Sequence, residues 1–209
     1  TELLYVNASP DPVRGYNAME SEREKNETFT RFLAELHQRF RPDRILVACH
    51  TLSVLLPHIP LPPVPIAGMQ LLTRELIQAQ SREFQFSKLL VLATETTVRS
   101  GVYAKVLPQT CAVACPQLAD TISSDGEGDQ VIEKVRHFLR SVRSFRGIPP
   151  DLTGVLLGCT HYGWRAALFA KALQAEGWNA LLLNPNQAIA QSWAESFQVQ
   201  HCEVFGAYT

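Results

Sequence analysis

The 209-residue sequence lacks several features that would each indicate a class of function. Its apolar stretches are all far shorter than the roughly 20 residues that span a bilayer, which predicts no membrane segment. Its opening residues form neither a basic segment nor an apolar signal stretch. The formal net charge of −1 favours neither nucleic acid nor an anionic membrane as a partner. Neither a GxGxxG motif nor a P-loop is present, so the sequence contains no sign of a nucleotide cofactor.

Cysteine is also scarce, and its five positions do not form a recognisable disulfide framework. The odd number and irregular spacing are typical of a reduced, cytoplasmic protein whose thiols serve chemistry rather than structure. Hydrophobic residues make up 46% and charged residues 19% of the chain, a balance that argues against long disordered segments. Because the chain begins at Thr1 rather than at a methionine, we expect that a preceding segment has been removed.

Short β-branched or leucine-rich runs alternate with amphipathic segments along the chain. The predicted strands cover residues 3–6, 44–48, 88–92, 111–114, 154–157 and 180–183, with a short strand at Ile66. The predicted helices cover residues 21–40, 51–56, 69–80, 100–105, 131–142 and 165–176, with one more beyond Asn186 and a polar loop at 123–129. This alternation indicates an α/β fold with mostly parallel sheets and right-handed crossovers.

A proline-rich segment at residues 57–65 interrupts this alternation. It contains five of the 13 prolines in the chain. Proline removes a backbone donor and breaks regular structure, so this segment cannot lie inside a helix or a sheet. We interpret it as a crossing between two domains that leads into the short strand at Ile66.

The two most informative residues are cysteines that each follow a predicted strand and precede a polar helix start. Cys49 and Cys159 both occupy such a position. An open α/β sheet places its chemistry at the carboxyl ends of its strands, where a following helix offers unpaired N–H groups. Thr51 and Thr160 could hold a substrate carboxylate there. Two such thiols suggest two acid/base groups that work on opposite faces of one small molecule, although a single buried cysteine more often packs as a small hydrophobe.

Three further polar residues are candidates for the same chemistry. His161 lies two residues after Cys159 and could pair with that thiol or protonate a substrate; the alternative is that it caps the edge of the core. Thr94 and Thr97 follow a third predicted strand. Their hydroxyl and N–H groups could bind a carboxylate or an ammonium group, and they could also cap the following helix.

Four blocks of the sequence resemble, in order and at similar spacing, the glutamate racemase family of the aspartate/glutamate racemase superfamily. They are Ala48-Cys49-His50-Thr51, Thr94-x-x-Thr97 with Ser100 and Tyr103, Ala114-Cys115-Pro116, and Leu157-Gly158-Cys159-Thr160-His161-Tyr162. The resemblance covers nearly the whole chain from Leu3 onward, and the last block is its most specific part. It implies a cofactor-independent racemase in which one cysteine thiolate removes the α-proton and the other thiol protonates the opposite face.

The resemblance also implies two doubly wound α/β domains, with mostly parallel sheets, that enclose the site in a cleft. The first domain would comprise residues 1–66 plus 180–209, because the family returns its C-terminal segment to that domain, and the second would comprise residues 67–179. Cys49 and Cys159 are then expected to face one cleft, with their sulfur atoms a substrate's width apart. The implied catalytic residues are Cys49, Cys159 and His161, and the implied substrate-binding residues are His50, Thr51, Thr94, Thr97, Thr160, Gly15 and Arg14.

Several features depart from the family's pattern. The family's opening strand and its Asp-Ser-Gly-x-Gly-Gly motif, whose aspartate assists the first cysteine, have no counterpart in this sequence, which would begin in the second strand. His50 stands where the family has a substrate-contacting asparagine. A glutamate of the family would fall at Ser123 or near Asp125. Arg14 and Gly15 lie where the family has Pro-Tyr-Gly, and Arg14 could bind a side-chain carboxylate.

Three functions are consistent with the sequence. The first is a cytoplasmic glutamate racemase that supplies D-glutamate for the bacterial cell wall, acting on a small acidic amino acid without cofactor or metal, with a homodimer as one option. The second is a racemase-like protein that binds an acidic metabolite with reduced or no turnover, or that acts on another substrate such as aspartate. The third is a metal site formed by Cys49, His50, Cys159 and His161, which together offer thiolate and imidazole ligands.

Overall fold

The computed structural model describes residues 2–9, 15–104, 106–146, 153–197 and 201–205. The chain divides into two compact units: the first comprises Thr1–Met69 and Ile189–Thr209, and the second comprises Gln70–Ala188. Every pairing between strands in the described ranges is parallel, as the alternation of strands and helices predicts. None of the helices in these ranges is both long and apolar enough to cross a membrane.

The first unit contains two pairs of parallel strands and one long helix, with elements numbered in chain order. Strand β1 (Glu2–Val6) pairs with β8 (His201–Phe205), and β2 (Ile45–Val47) pairs with β3 (Ile66–Gly68). The helices are α1 (Glu22–Phe40) and α2 (His50–Ser53), while α9 (Pro185–Phe197) starts in the second unit and leads to β8.

Helix α1 begins at an N-cap serine and buries one face against β2. The Ser21 hydroxyl accepts a hydrogen bond from the backbone N–H of Glu24, which satisfies a donor that the first turn leaves unpaired. Phe29 and Leu33, one helical turn apart, are each 1% exposed and pack in one cluster with the apolar residues of β2. This packing holds the strand whose carboxyl end leads to Cys49.

The second unit is built on one four-stranded parallel sheet. Its strands are β4 (Lys88–Ala93), β5 (Gln109–Ala114), β6 (Thr153–Gly158) and β7 (Ala180–Leu183), in the order β5-β4-β6-β7. Its helices are α3 (Gln70–Glu83), α4 (Glu95–Arg99), α5 (Leu118–Ser124), α6 (Asp129–Arg146), α7 (Thr160–Trp164) and α8 (Ala166–Ala175).

Helices cover both faces of this sheet. Leu90 and Leu92 of β4 belong to a buried cluster with residues of α6 and α8, whereas Leu89 and Val91 belong to a second cluster with Ile77 of α3. Successive side chains of a strand point to opposite faces, so the two clusters lie on the two sides of the sheet. The second unit is therefore doubly wound, and its two central strands, β4 and β6, are mostly apolar because both of their faces are buried.

The strand order reverses beside β4, because the chain leaves β4 toward β5 on one side and later returns to β6 on the other. In an open α/β sheet, ligands bind outside the carboxyl ends of the strands at such a reversal. The register sets Ala93 of β4 opposite both Ala114 of β5 and Gly158 of β6. The residues that directly follow these three strands therefore lie at the same level of the sheet edge.

The passage between the units differs from the sequence-based prediction. The first unit was expected to resume at Ala180, but β7 pairs in parallel with β6 inside the second unit. The first unit therefore resumes at Ile189, within α9, and the earlier crossing lies after Met69 rather than at Ile66. A short leucine-rich strand has the same local pattern in either sheet, so its pairing partner decides where it belongs.

Three local elements also differ from the prediction. The helix expected at residues 100–105 is replaced by α4, which begins directly after Thr94 and ends before Gly101, whose φ of 64° is left-handed. Helix α5 extends to Ser124 and so occupies the start of the expected polar loop. Strand β8 was not expected, since it pairs with β1 from the opposite end of the sequence.

Replacement of Gly158 by alanine tests the close packing at the end of β6. An added Cβ would lie 2.8 Å from the Cβ of Ala93 and 3.2 Å from the carbonyl oxygen of Leu92, so neighbouring atoms must move to admit it. We expect Gly158→Ala to lower the free energy of unfolding by about 1–3 kcal/mol, measured by urea denaturation. Gly126→Ala is the control, because no atom lies within 4 Å of a Cβ added there. An equal loss of stability in both variants would contradict the packing argument.

Candidate active site

Cys49 follows β2 and forms the N-cap of the short helix α2. Its backbone is extended (φ −151°, ψ 127°), so its side chain stands where the strand ends and the helix begins. The backbone N–H groups of Thr51 and Leu52 and the Thr51 hydroxyl donate hydrogen bonds to its sulfur. Burial raises the pKa of the half-buried thiol more than these donors lower it, so Cys49 is mainly protonated at neutral pH.

The residues around Cys49 are fixed inside the first unit. His50 is 1% exposed, and burial lowers the pKa of its imidazole to about 4, so the ring is neutral at pH 7. The Ser53 hydroxyl donates to the carbonyl oxygen of Val47 (3.1 Å) and accepts from the N–H of Met69 (3.0 Å). Ser53 thereby ties α2 to the end of β2 and to the residue that follows β3, which fixes the turn that carries Cys49.

Tyr16 is a neighbour of Cys49 that the sequence does not reveal. Its ring packs edge to face on Phe29 with centroids 6.0 Å apart, and its hydroxyl is buried without a hydrogen-bond partner among the described residues. Burial, and to a smaller extent the proximity of Cys49, raises the pKa of the phenol, so Tyr16 is protonated at neutral pH. It lies in a polar segment directly after Gly15, where no periodicity marks it.

Of the two predicted substrate-binding residues in this segment, only Gly15 lies within the described residues. Gly15 precedes a short 3-10 turn (Tyr16–Ala18) with φ −75° and ψ 176°, a conformation that any residue adopts. No atom lies within 4 Å of a Cβ added there, so the backbone shows no requirement for glycine. Arg14 lies outside the described residues, and its contact with a carboxylate stays a prediction.

Cys159 repeats, in the second unit, the local arrangement of Cys49. It follows β6, has an extended backbone (φ −146°, ψ 138°) and forms the N-cap of α7. Its side chain is 6% exposed, and its sulfur lies 3.8 Å from Nδ1 of His161. A thiol beside an imidazole is the arrangement that activates a cysteine for proton transfer. The structure thus brings the predicted pair of Cys159 and His161 together.

Thr94 follows β4 and stands level with Cys159, because Ala93 and Gly158 are register partners. Thr94 and Thr97 are 5% and 2% exposed, and their hydroxyl oxygens lie 3.0 Å apart. This hydroxyl pair places two polar groups at the same sheet edge as Cys159. The binding of substrate by Thr94, Thr97 and the half-buried Thr160 stays a prediction.

A buried polar pair lies next to this edge. Tyr162 is fully buried, and its hydroxyl donates to the carbonyl oxygen of Cys115 at 3.2 Å. Cys115 is 2% exposed and directly follows β5. Burial raises the pKa of the Cys115 thiol and of the Tyr162 phenol, so both groups keep their protons. Their contact links the end of β5 to α7.

Asp125, near the expected position of the family's glutamate, caps a helix. Its carboxylate accepts hydrogen bonds from the N–H groups of Gly128 and Val131, each at 3.0 Å, and so caps the start of α6. These bonds lower the pKa of the carboxyl group. At the other expected position, the Ser123 hydroxyl donates to the carbonyl oxygen of Ala119 within α5. Both residues serve local helix geometry.

Two asparagines after β7 contact the turn that carries Cys159. Nδ2 of Asn186 donates to the carbonyl oxygen of Thr160 (2.8 Å), and Nδ2 of Asn184 donates to that of Gly163 (2.9 Å). Neither asparagine is among the site residues predicted from the sequence. Their position directly after a predicted strand, the same position that Cys49 and Cys159 hold, is the signal that identifies them.

Each unit thus presents one thiol with its own set of neighbours. The first unit groups Cys49, His50 and Thr51, and the second unit groups Cys159, Thr160, His161, Thr94 and Thr97. Among the residues that the structure describes, no group of three or more histidine, cysteine, aspartate or glutamate side chains is placed to hold a metal ion. None of the four cysteines whose side chains are described forms a disulfide.

Burial of neutral His50 predicts that stability depends on pH. The pKa of His50 is about 4 in the folded protein and near 6.5 in an unfolded chain, so the unfolded state binds more protons between these values. The stabilisation is fully present above about pH 6.5 and is lost as the pH falls toward 4, by up to about 3 kcal/mol. Urea denaturation of the wild type and of His50→Gln between pH 4 and 7 measures this loss.

His58→Gln is the matched control, because the His58 side chain is exposed. We expect the loss of stability on acidification to become shallower in His50→Gln and to stay unchanged in His58→Gln. Identical slopes in the wild type and His50→Gln would show that His50 is not held neutral by burial.

Comparison with known proteins reveals relatives of this arrangement, although no family model matches the chain. The chain is 30% identical over 165 residues to the glutamate racemase of Thermus thermophilus, a match that covers 68% of this chain and 58% of the relative. It is 33% identical over 131 residues to the glutamate racemase of Carboxydothermus hydrogenoformans, with 56% of this chain and 44% of that protein covered. The chain spans less than two thirds of the length of these curated relatives.

The fold also occurs in a solved structure. The crystal structure of glutamate racemase isoform RacE1 from Bacillus anthracis matches with a TM-score of 0.72 at 19% identity, over 100% of this chain and 79% of that one. The cysteine-bearing sequence blocks, the parallel α/β units that present them and these relatives agree with one another. The chain is similar to glutamate racemases in its sequence and in its fold.

Proposed function

We propose that this protein interconverts L- and D-glutamate without a cofactor, by a two-cysteine acid/base mechanism. The observation that carries the proposal is the repeated local arrangement of Cys49 and Cys159. Each cysteine has an extended backbone, follows a parallel strand and caps a short helix. Sequence similarity to glutamate racemases supports glutamate as the substrate.

Two thiols suit racemisation because the reaction needs one base and one acid on opposite faces of the α-carbon. One cysteine starts as thiolate and removes the α-proton, and the other starts as thiol and donates a proton to the opposite face of the planar carbanion. The two roles exchange when the reaction runs in reverse. For Cys159 the proton acceptor is the imidazole of His161, 3.8 Å from the sulfur.

Substrate binding falls to the polar groups at the same strand ends. We assign the α-carboxylate and ammonium groups to the hydroxyl and N–H groups of Thr51, Thr94, Thr97 and Thr160. Neutral His50 is available as a further hydrogen-bonding group, and Arg14 and Gly15 are assigned to the side-chain carboxylate. Thr94 and Thr97 are buried, and a preorganised polar group in such surroundings stabilises developing charge more than water does.

The proposal also includes a cellular compartment and a role for the product. A racemase of this kind acts in the cytoplasm and supplies D-glutamate for peptidoglycan synthesis. Its partner is a small acidic amino acid, and a homodimer is the assembly that we expect. Size-exclusion chromatography with light scattering would determine the assembly, and a monomer at micromolar concentration would contradict it.

A second function, binding of an acidic metabolite with reduced turnover, is favoured by the surroundings of Cys49. Burial raises the pKa of this thiol, and the described residues around it supply hydrogen bonds rather than a carboxylate base. Asp125, one expected counterpart of the family's glutamate, caps α6 instead. In this second function, the wild-type protein binds glutamate but exchanges the α-proton of glutamate only slowly.

Replacement of either thiol by serine tests the racemase proposal. Serine keeps the shape of cysteine but has a far less acidic hydroxyl, so Cys49→Ser and Cys159→Ser should each slow racemisation by at least about 10²-fold. The measurement is incorporation of solvent deuterium at the α-carbon of L- and D-glutamate. Cys111→Ser is the matched control, because Cys111 lies within β5 and away from its carboxyl end.

Thermal melting of each variant separates lost chemistry from lost folding. We expect all three serine variants to melt cooperatively and only Cys111→Ser to keep the wild-type exchange rate. Unimpaired exchange after removal of either Cys49 or Cys159 would show that these thiols are not the catalytic pair. Binding of glutamate without exchange in the wild type would favour the second function.

His161→Asn should have an asymmetric effect on α-proton exchange. The imidazole assists Cys159, so the loss should be larger for the enantiomer whose proton is removed by Cys159 than for the other. The equilibrium constant between enantiomers is one, so kcat/KM must change equally in both directions. The asymmetry is therefore measured from kcat and from α-proton exchange with deuterated solvent. His137→Asn on α6 is the control. An equal loss of exchange rate for both enantiomers in His161→Asn would refute the assignment of His161 to Cys159.

A further inference from the structure

The turn at residues 159–163 is held by side chains from the segment after β7. Asn186 donates to the carbonyl oxygen of Thr160, the residue between Cys159 and His161, and Asn184 donates to that of Gly163. The carbonyl group of Gly163 lies at the end of α7, where helical carbonyls have no partner within the helix. The two amides thus bind this turn at both of its ends.

The local sequence at the start of α9 helps to place these amides. Asn184 is the residue before α9, and its Oδ1 accepts a hydrogen bond from the backbone N–H of Asn186 at 3.2 Å. Pro185 occupies the first helical position, where its fixed φ suits the helix and its missing N–H costs nothing. The Asn-Pro-Asn start of α9 therefore orients the amide of Asn184 and places Asn186 in the first turn of the helix.

The fit between this segment and the turn is close. A Cβ added to Gly163 would collide with Oδ1 of Asn184 and would lie 2.5 Å from Nδ2 of Asn186. The Oδ1 atom of Asn186 is buried and has no hydrogen-bond partner among the described residues. A buried unpaired oxygen costs stability. The hydrogen bond that Nδ2 of Asn186 donates is therefore the favourable interaction that this side chain makes.

We propose that Asn186, supported by Asn184, positions the thiol of Cys159 against His161 by holding the carbonyl group of Thr160. The inference rests on the proposed function, since it concerns the acid/base role of Cys159. The peptide groups of Thr160 set the separation of the two flanking side chains, whose reacting atoms lie 3.8 Å apart. Release of the Thr160 carbonyl lets the turn rotate and lengthens this separation. Asn186 is a positioning residue, because it acts on the thiol and the imidazole through the carbonyl group of Thr160.

The test is the pH dependence of Cys159 alkylation by iodoacetamide, followed by mass spectrometry of the peptide that contains Cys159. A nearby imidazolium favours the thiolate, so Asn186→Ala should move the midpoint of alkylation upward by about half a pH unit or more. The rate at pH 7 should fall about threefold. Loss of packing alone would instead expose the thiol and speed its alkylation without moving the midpoint.

Three further variants complete this experiment. Asn179→Ala is the matched control, an exposed asparagine of the same unit that should leave the midpoint unchanged. In a His161→Asn background, Asn186→Ala should cause little further shift, because both substitutions act on one pair. Gly163→Ala, which displaces both amides without removing them, should reproduce the upward shift even if Asn186→Ala does not fold.

An unchanged midpoint in both Asn186→Ala and Gly163→Ala would overturn the inference, as would an equal shift in Asn179→Ala. Alkylation needs no turnover, so the result stands apart from the deuterium-exchange test. An upward shift in a protein that does not racemise glutamate would support the positioning role and contradict the proposed function. If the wild-type protein exchanges the α-proton of glutamate but the alkylation midpoint is unchanged in the variants, the result would support the proposed function and contradict the positioning role.

Discussion

The register of the parallel sheet is the constraint on which the second unit depends. With Ala93 opposite both Gly158 and Ala114, the residues that follow three neighbouring strands emerge at one level of one edge. Those residues are Thr94, Cys159 and Cys115. A shift of one residue in the pairing would send these side chains to the other face. Gly158 permits this pairing, because the Cβ of any other residue there would lie too close to the Cβ of Ala93.

Both units present a thiol by the same local device but surround it differently. In each case an extended cysteine ends a strand and caps a short helix. Cys49 receives hydrogen bonds from Thr51 and Leu52 and lies near the protonated Tyr16. Cys159 has an imidazole at 3.8 Å. The two thiols are therefore chemically unequal. An acid and a base that exchange roles would differ in this way if one of them had a weaker assisting group.

Some parts of this structure are predictable from the sequence because their causes are local. The apolar run before Cys159 and the polar residues after it lie next to one another in the chain, so the strand, the turn and the thiol–imidazole pair can be read together. The same holds for Cys49 and Thr51. The parallel arrangement of the strands follows from their alternation with helices and matches the structure.

Other parts are not predictable because they depend on contacts between distant segments. The strand at Ala180–Leu183 has the composition of any buried strand, and only its pairing with β6 assigns it to the second unit. Tyr16 comes next to Cys49 through tertiary packing across more than thirty positions of the sequence. Asn186 meets Thr160 in the same way. Asp125, which lies near the position of the family's glutamate, serves as a helix cap through contacts with the start of α6.

We propose that Cys49 and Cys159 act on one bound glutamate, and protection of the two thiols from alkylation is the most direct test. Iodoacetamide labelling of each thiol is followed peptide by peptide at increasing concentrations of D-glutamate, with Cys111 as the internal reference. We expect glutamate to protect Cys49 and Cys159 with the same concentration dependence and to leave Cys111 unaffected. Protection of only one of the two thiols, or of neither, would contradict it.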